Sequence, residues 1–180
     1  IGMAMPGPFD YEKGISYIKG LNKYECLYGE NVKDLLANTL DIQPAQISMI
    51  NDASAYLVGE LSAGAGRGYQ NVVGITLGTG LGSASFYNNT LEDGDLYAFA
   101  YAGGKAEDYV SANWPLRSYE EKRREKLAGV KELAARVGED AIAQQLFAEY
   151  GRNLGKVLAL RYREQSPEVV IIGGNIAKAW

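Results

Sequence analysis

Short apolar runs and helically spaced apolar residues alternate along this chain. The short runs predict strands over residues 1–5, 47–50, 72–77, 83–87 and 169–172. Apolar residues at helical spacing predict helices over residues 31–40, 53–63, 107–114 and 138–162. Strands that alternate with helices in this way are typical of an α/β fold.

The longest helical signal, over residues 138–162, carries its apolar side chains at every fourth position. These positions are Ile142, Leu146, Tyr150, Leu154 and Leu158. Their spacing predicts one stripe that faces a core, so we interpret them as packing residues.

Local signals set the expected ends of several elements. Asn31 is suited to cap the helix that follows it, and Pro115 is expected to end the helix over 107–114. The mixed charges of residues 117–126 predict a solvated helix or loop. The uninterrupted apolar run 169–172 is typical of a strand buried on both faces of a sheet.

Composition narrows the possible chemistry. The 180 residues carry a net charge of −4, which offers no basic surface for nucleic acid. No apolar run reaches the roughly 18 residues that a membrane-spanning helix needs, so we expect no membrane partner. Cys26 is the single cysteine, which rules out a disulfide within the chain and fits a reducing, cytoplasmic location. With no histidine as well, a structural zinc site is not expected, and a general base must be a carboxylate, Lys, Tyr or Cys26.

A glycine-rich bend directly follows the predicted strand 72–77. Gly78 and Gly80 would let backbone N–H groups converge on phosphate oxygens, and Thr79 adds a hydroxyl donor. The alternative is a tight hairpin turn in which the glycines serve geometry alone. The pattern is neither a P-loop nor a dinucleotide fingerprint, because no lysine follows and the spacing differs.

An isolated acidic residue, Asp52, directly precedes the N-terminus of the predicted helix 53–63. Asp52 could accept a proton from an attacking hydroxyl, while Asn51 orients neighbouring groups. The alternative is that Asp52 only caps the helix. An acid beside a backbone that can wrap a phosphate indicates phosphoryl transfer.

Two further pairs are ambiguous in isolation. Glu107 and Asp108 could be surface charges that compensate a helix dipole. Gly173 and Gly174 could support a nucleotide or merely turn the chain from a strand into a helix.

Taken in order, these segments resemble the ROK family of sugar kinases and related repressors, within the sugar kinase, Hsp70 and actin superfamily. Residues 5–10 resemble its "PGPVD" turn, residues 51–68 its "NDANAAALGE" and "GAGxG" block, and residues 71–82 its "NVVYLTLGTGIGGG" strand and turn. Residues 107–111 resemble its "LExYxSG" segment and residues 167–176 its adenosine segment. The matches are colinear and extend over nearly the whole chain.

This resemblance implies a ribonuclease-H-like, actin/hexokinase-type α/β fold of two lobes, of which the chain holds part. Residues 1–68 would belong to the smaller, sugar-binding lobe and residues 69–180 to the larger, nucleotide-binding lobe. Because the chain reads as beginning in mid-strand and ending at a helix start, we expect a fragment that lacks both ends. A homodimer is expected from the family as well.

The resemblance also implies roles for single residues. Asp52 would be the catalytic base and also contact the sugar, which Asn51 and Glu107 would bind and Gly7 would approach. The residues that would hold ATP are Gly78, Thr79 and Gly80 at the phosphates, and Gly173 and Gly174 at the adenosine. Mg²⁺ would be carried with the nucleotide.

The chain departs from the family pattern in two places. The "EIGH" sugar contact and the Cys-rich zinc motif are absent, and residues 95–104 stand in their place. We therefore expect a branch without structural zinc, with a sugar pocket completed by other residues and no transferable preference for glucose. The "DxGGT" phosphate motif of the family's opening strand is also missing, so the chain alone is expected to bind ATP and Mg²⁺ poorly.

The leading hypothesis is ATP-dependent phosphorylation of a sugar hydroxyl, by a glucokinase-like hexose or amino-sugar kinase. One alternative is a sugar-responsive ROK-type transcriptional regulator, which would bind nucleic acid through an N-terminal helix-turn-helix. Another is a sugar-binding protein without catalytic activity.

Overall fold

The computed structural model describes residues 1–20 and 24–179. Its strands are β1 (Gly2–Met5), β2 (Phe9–Asp10), β3 (Ile15–Ser16), β4 (Ser48–Asn51), β5 (Val72–Leu77), β6 (Leu81–Tyr87), β7 (Thr90–Asp93), β8 (Ala100–Tyr101), β9 (Gly104–Lys105) and β10 (Val169–Gly173). Its helices are α1 (Val32–Leu40), α2 (Asp52–Ala63), α3 (Glu107–Val110), α4 (Asn113–Arg123), α5 (Val130–Ala135) and α6 (Ala141–Arg161). Short 3₁₀ turns cover Glu25–Leu27, Pro44–Gln46, Leu96–Ala98 and Ile176–Ala179.

The N-terminal part is built on two parallel strands, β1 and β4, with Met5 standing opposite Asn51. The hairpin β2–β3 and helix α1 lie between them in the sequence. As predicted, Asn31 caps α1, because its Oδ1 accepts a hydrogen bond from the N–H of Asp34. The hydrophobic cluster of this part is formed by the buried side chains of Met5, Val32, Ala37, Ile47 and Met49.

A second sheet has the strand order β10-β5-β6-β7. Strands β5, β6 and β7 form an antiparallel meander, and β10 returns parallel to β5 after the helices. Strand β5 is central, and Val72, Val73, Ile75 and Leu77 are fully buried. The alternation of strands and helices confirms the predicted α/β class.

Helix α2 covers one face of this sheet. Its Leu57 is buried with Val72, Ala84 and Ile171. The close approach depends on Gly74, where a Cβ would lie 3.1 Å from the Cβ of Leu57.

Helices α3 to α6 cover the opposite face. The predicted stripe of α6 is confirmed, because Leu146, Tyr150 and Leu154 are buried in the main core. The helix begins at Ala141 because Asp140 caps it, accepting a hydrogen bond from the N–H of Ile142. Within the described residues, no helix is both long and apolar enough to cross a bilayer.

The structure corrects the helix predicted over residues 107–114. Helix α3 ends at Val110, the backbone of Ser111 is extended, and α4 begins at Asn113. Pro115 lies in the first turn of α4 instead of ending a helix. A proline is tolerated there because the first N–H groups of a helix have no partner within the helix. The charged residues of α4 are exposed, as predicted.

The prediction that residues 169–172 are buried on both faces is wrong. Within the described residues, strand β10 is the edge strand of the sheet, with Ile171 8% exposed and Ile172 41% exposed. Val170 and Ile172 share one face of the strand, on which Val170 packs against the main core and Ile172 is accessible.

Candidate active site at the start of helix α2

Asn51 joins strand β4 to helix α2 and caps the helix. Its Oδ1 accepts hydrogen bonds from the N–H groups of Ala53, at 2.9 Å, and Ser54, at 3.3 Å. The capping residue is therefore Asn51, and the alternative that Asp52 serves only as the cap is not needed.

Asp52 is the first residue of α2 and is exposed. Its Oδ1 accepts a hydrogen bond from the N–H of Ala53 at 2.9 Å. No ion pair among the described residues involves Asp52. Its carboxylate is thus accessible and is not held by a cation in this part of the chain.

The other end of the Asn51 side chain contacts Tyr11. Nδ2 of Asn51 donates a hydrogen bond to Oη of Tyr11 at 3.0 Å, and Oη donates to the carbonyl of Met5 at 3.0 Å. Gly7 lies beside them, since a Cβ at Gly7 would be 3.5 Å from Oη of Tyr11. Gly7 and Asn51, both candidate residues from the sequence, therefore lie on either side of the Tyr11 hydroxyl. Tyr11 itself was not among the candidates.

The environment of Tyr11 is partly buried and acidic. Burial is the main cause that raises the pKa of Tyr11, and the negative charges of Asp93 and Asp52 raise it further. The hydrogen bond from Asn51 opposes these effects. The phenol therefore remains protonated at neutral pH and keeps its donor for Met5.

Asp93 is a second acid that the sequence analysis did not single out. The Oγ of Ser54, whose side chain is buried, donates a hydrogen bond to Oδ1 of Asp93. This bond ties the first turn of α2 to strand β7. Asp93 belongs to no sequence motif. Its place near the start of α2 follows only from the tertiary contact between α2 and β7.

Ala53 places the start of α2 against the hairpin formed by β5 and β6. A Cβ at Gly82 would lie 3.1 Å from the Cβ of Ala53 and would collide with Oγ1 of Thr76. Only glycine fits without a shift. Because Ala53 adjoins Asp52 and Gly82 lies close to the bend 78–80, the acid and the bend belong to one region of the molecule.

The bend 78–80 is held by hydrogen bonds of its own backbone. The N–H of Gly78 donates to the carbonyl of Gly80 at 3.1 Å, and the N–H of Ala112 donates to the carbonyl of Gly78 at 2.9 Å. Thr79 and Gly80 are exposed. The bend is thus anchored through Gly78, while its tip faces outward.

Glu107 lies directly against this bend. Its Oε2 accepts a hydrogen bond from the N–H of Leu81 at 3.0 Å, and a Cβ at Gly80 would be 2.8 Å from the same oxygen. Its Oε1 lies 3.7 Å from Nζ of Lys105. Glu107 therefore supports the bend, beside the role in sugar binding that its motif implied.

Gly173 and Gly174 lie beside the end of β5. Gly174 has a φ of 93°, and a Cβ there would be 2.7 Å from the backbone nitrogen of Leu77. A Cβ at Gly173 would be 2.6 Å from the Tyr56 ring. The two glycine segments are therefore neighbours. Close packing is sufficient reason for glycine at both positions, against the Leu77 backbone at Gly174 and against the Tyr56 ring at Gly173.

Among the described residues, no group of three or more His, Cys, Asp or Glu side chains is placed to hold a metal ion. The acids of the candidate site come from three elements: Asp52 begins α2, Asp93 ends β7 and Glu107 begins α3.

Comparison with solved structures defines the fold. The chain superimposes on a ROK family glucokinase from Streptomyces griseus, solved in complex with glucose and AMPPNP, with a TM-score of 0.81. The match covers 98% of this chain and 65% of that chain, at 22% identity. The chain therefore has part of the ribonuclease-H-like, actin/hexokinase-type α/β fold.

The family follows from the sequence. The ROK family model matches residues 1–98, and the chain belongs to the ROK family. It is 29% identical over 210 aligned residues to a glucokinase of Thermotoga maritima, covering 99% of this chain and 64% of that protein. It is 25% identical to the N-acetylgalactosamine kinase AgaK of a Shewanella strain, covering 99% of this chain and 63% of that protein. The chain thus spans a little under two thirds of the length of both relatives.

Proposed function

We propose that this protein is an ATP-dependent sugar kinase, which transfers the γ-phosphoryl group of ATP to a hydroxyl of a hexose or amino sugar. Membership of the ROK family supports the reaction class. The two kinase relatives act on a neutral hexose and an N-acetylated amino sugar, as their names state.

One observation carries the proposal more than any other. The start of α2, with its accessible Asp52, packs through Ala53 against the hairpin that carries the exposed bend 78–80. Phosphoryl transfer needs a carboxylate able to take a proton and backbone N–H groups able to bind phosphate within one site.

In the proposed reaction, Asp52 is the general base. The sugar hydroxyl oxygen attacks the γ-phosphorus of ATP and its proton passes to the carboxylate of Asp52. The bond from the γ-phosphorus to the bridging oxygen breaks, and ADP leaves with that electron pair. Asn51 and Gly7 would hold the sugar so that its oxygen is in line with the breaking bond.

The bend 78–80 would bind the phosphates. The N–H groups of Gly78 and Leu81 are used within the protein, so the N–H groups of Thr79 and Gly80 and the Thr79 hydroxyl would face the nucleotide. Gly173 and Gly174 would lie against adenosine. The nucleotide would enter as its Mg²⁺ complex, and the ion would neutralise charge on the phosphates.

Glu107 would have two functions. Its Oε2 supports the bend through Leu81, and its Oε1 would accept a hydrogen bond from a sugar hydroxyl. The division into a sugar-binding part, residues 1–68, and a nucleotide-binding part, residues 69–180, and the homodimer belong to the same proposal.

The test is sugar-dependent release of ADP by the protein at its full natural length, with a panel of hexoses and amino sugars. We expect turnover with at least one sugar, and a fall in kcat of at least about 100-fold in Asp52→Asn, with sugar binding by calorimetry retained. Asp34→Asn is the matched control, because Asp34 is also an exposed acid in the first turn of a helix.

Two results would contradict the proposal. Full turnover by Asp52→Asn would remove Asp52 as the base. Sugar binding without turnover of any sugar, together with sugar-responsive DNA binding, would favour the transcriptional regulator.

A further inference from the structure

The hydrogen-bonding capacity of Asn51 is almost fully used by the protein. An amide oxygen has two lone pairs, and those of Asn51 accept from the N–H groups of Ala53 and Ser54. Its amide nitrogen carries two hydrogens, one of which is donated to Tyr11. Asn51 can therefore offer a ligand a single hydrogen and no acceptor.

The hydroxyl of Tyr11 supplies what Asn51 lacks. It donates its hydrogen to the carbonyl of Met5 and accepts from Asn51 with one lone pair. A phenol oxygen carries a second lone pair, which is a weaker acceptor than the first because it is conjugated with the ring. Among the hydrogen bonds of the described residues, Asn51 is the one donor to this oxygen.

The position of the hydroxyl is fixed. The Tyr11 ring packs against Phe9, with ring centroids 5.2 Å apart, and the hydroxyl is held at two points by Met5 and Asn51. Beside it lies exposed Gly7, where the absence of a side chain leaves room for a ligand. The second acceptor position of Tyr11 and the last hydrogen of Asn51 are thus adjacent.

We propose that Tyr11 is a substrate-binding residue of the sugar site and that it also orients Asn51. Its hydroxyl accepts a hydrogen bond from a sugar hydroxyl, and the remaining Asn51 hydrogen is donated to a sugar oxygen. An acceptor beside a donor recognises either one hydroxyl that both donates and accepts or two neighbouring hydroxyls. This inference rests on the proposed function, because it takes the ligand to be a sugar.

The pairing predicts which sugars are rejected. At the recognised position, a deoxy sugar would leave both protein groups without a partner. A deoxyfluoro or O-methyl sugar can accept but cannot donate, so it would leave the Tyr11 acceptor unpaired. Selectivity should therefore be for a donating hydroxyl at one ring position.

The test measures KM and calorimetric affinity for the best sugar and for its monodeoxy and monofluoro series, in wild-type protein and Tyr11→Phe. We expect Tyr11→Phe to raise the KM for the sugar about three- to tenfold, with the KM for ATP unchanged. Wild type should disfavour one deoxy sugar and the corresponding fluoro sugar. Tyr11→Phe should no longer distinguish the fluoro sugar from the parent sugar, but should still disfavour the deoxy sugar, which leaves the Asn51 hydrogen without an acceptor. A residue that only stabilises the fold would not remove selectivity at one position.

Tyr17→Phe is the matched control, since Tyr17 is 46% exposed and lies in the same N-terminal segment. Gly7→Ala is the second variant, for use if Tyr11→Phe does not fold. Its methyl would meet Oη of Tyr11 at an ordinary contact distance of 3.5 Å, covering the open side of the hydroxyl while its own bonds remain. The same loss of selectivity is expected.

Unchanged affinity and selectivity in Tyr11→Phe, with wild type active, would overturn this inference and leave the proposed function in place. A wild-type protein that neither binds nor phosphorylates any sugar would overturn both.

Discussion

Asp140 and Arg123 form a two-point ion pair between the start of α6 and the end of α4. Nη2 of Arg123 lies 2.7 Å from Oδ1 of Asp140, and Nε lies 3.2 Å from Oδ2. Tyr119 adds a hydrogen bond to Oδ2 at 2.7 Å. Helix α4 begins just after Ala112, whose N–H donates a hydrogen bond to the carbonyl of Gly78 in the bend 78–80. The ion pair therefore stabilises the helical layer that supports the candidate site.

The first prediction concerns acid stability. The hydrogen bonds from Arg123 and Tyr119 hold the pKa of Asp140 well below its usual range. A carboxyl with a lowered folded-state pKa stabilises the fold above its unfolded pKa, about 3.9, and this stability is lost as pH falls toward the folded value. Asp140→Asn should therefore unfold more readily than wild type at pH 7, and the difference should narrow below about pH 4.

Urea unfolding at pH 7 and pH 3 checks this prediction. Asparagine can still cap α6, so the variant isolates the ion pair from the cap. If the difference in unfolding free energy between wild type and Asp140→Asn is the same at pH 7 and pH 3, the ion pair makes no charge-dependent contribution to stability.

The second prediction concerns the contact between α2 and the hairpin. Gly82→Ala would push a methyl group into Thr76 and Ala53, so we expect a loss of about 1–3 kcal/mol in the free energy of unfolding. Gly59→Ala is the control, because a Cβ there meets no atom within 4 Å and Gly59 lies inside α2. That change should stabilise the protein by about 0.5–1 kcal/mol. Equal stability of the two variants would contradict the close packing at Gly82.

The third prediction separates the two proposed functions of Glu107. Glu107→Gln keeps an oxygen that can accept from the N–H of Leu81, so the KM for ATP should change little while the KM for the sugar rises. Glu107→Ala removes both interactions and should raise both constants. Steady-state kinetics with each substrate varied in turn measures this difference. If alanine leaves the KM for ATP unchanged, Glu107 does not support the phosphate-binding bend.

The fourth prediction compares two tyrosine hydroxyls near the main core. Oη of Tyr150 donates to the carbonyl of Val110 at 2.8 Å, whereas the buried Oη of Tyr87 has no hydrogen-bond partner among the described residues. Tyr150→Phe should cost about 1 kcal/mol of unfolding free energy, and Tyr87→Phe should cost nothing or stabilise the fold. Chemical denaturation of both variants tests the comparison, and a larger loss at Tyr87 would show that its hydroxyl is paired.

The sequence predicted elements whose signals are local. The stripe of α6 and the Asn31 cap were found because the spacing of apolar residues and a capping residue each report on neighbouring backbone. The break at Ser111 was missed because apolar residues continue through it at helical spacing. The break coincides with the bond from Ala112 to Gly78, which is distant in sequence.

The same distinction applies to the site. Asp52 and the bend 78–80 were recognised from motifs, whereas Tyr11 and Asp93 belong to no motif that names their function. Tyr11 becomes relevant because Met5 and Asn51 stand opposite each other in a parallel pair, and Asp93 because Ser54 reaches it from α2. Such relationships depend on strand pairing and helix packing, which local patterns do not encode.

The pairing of β1 with β4 has a consequence for how easily this site could be altered. Successive side chains of a strand point to opposite sides, so slipping β4 by one position would carry Asn51 away from Tyr11 and turn an apolar neighbour toward it. An insertion or deletion of one residue in the connection to β4 could cause such a slip without touching a single chemical group. The alignment of two four-residue strands is therefore as exacting a requirement for the proposed sugar recognition as the identity of the amide itself.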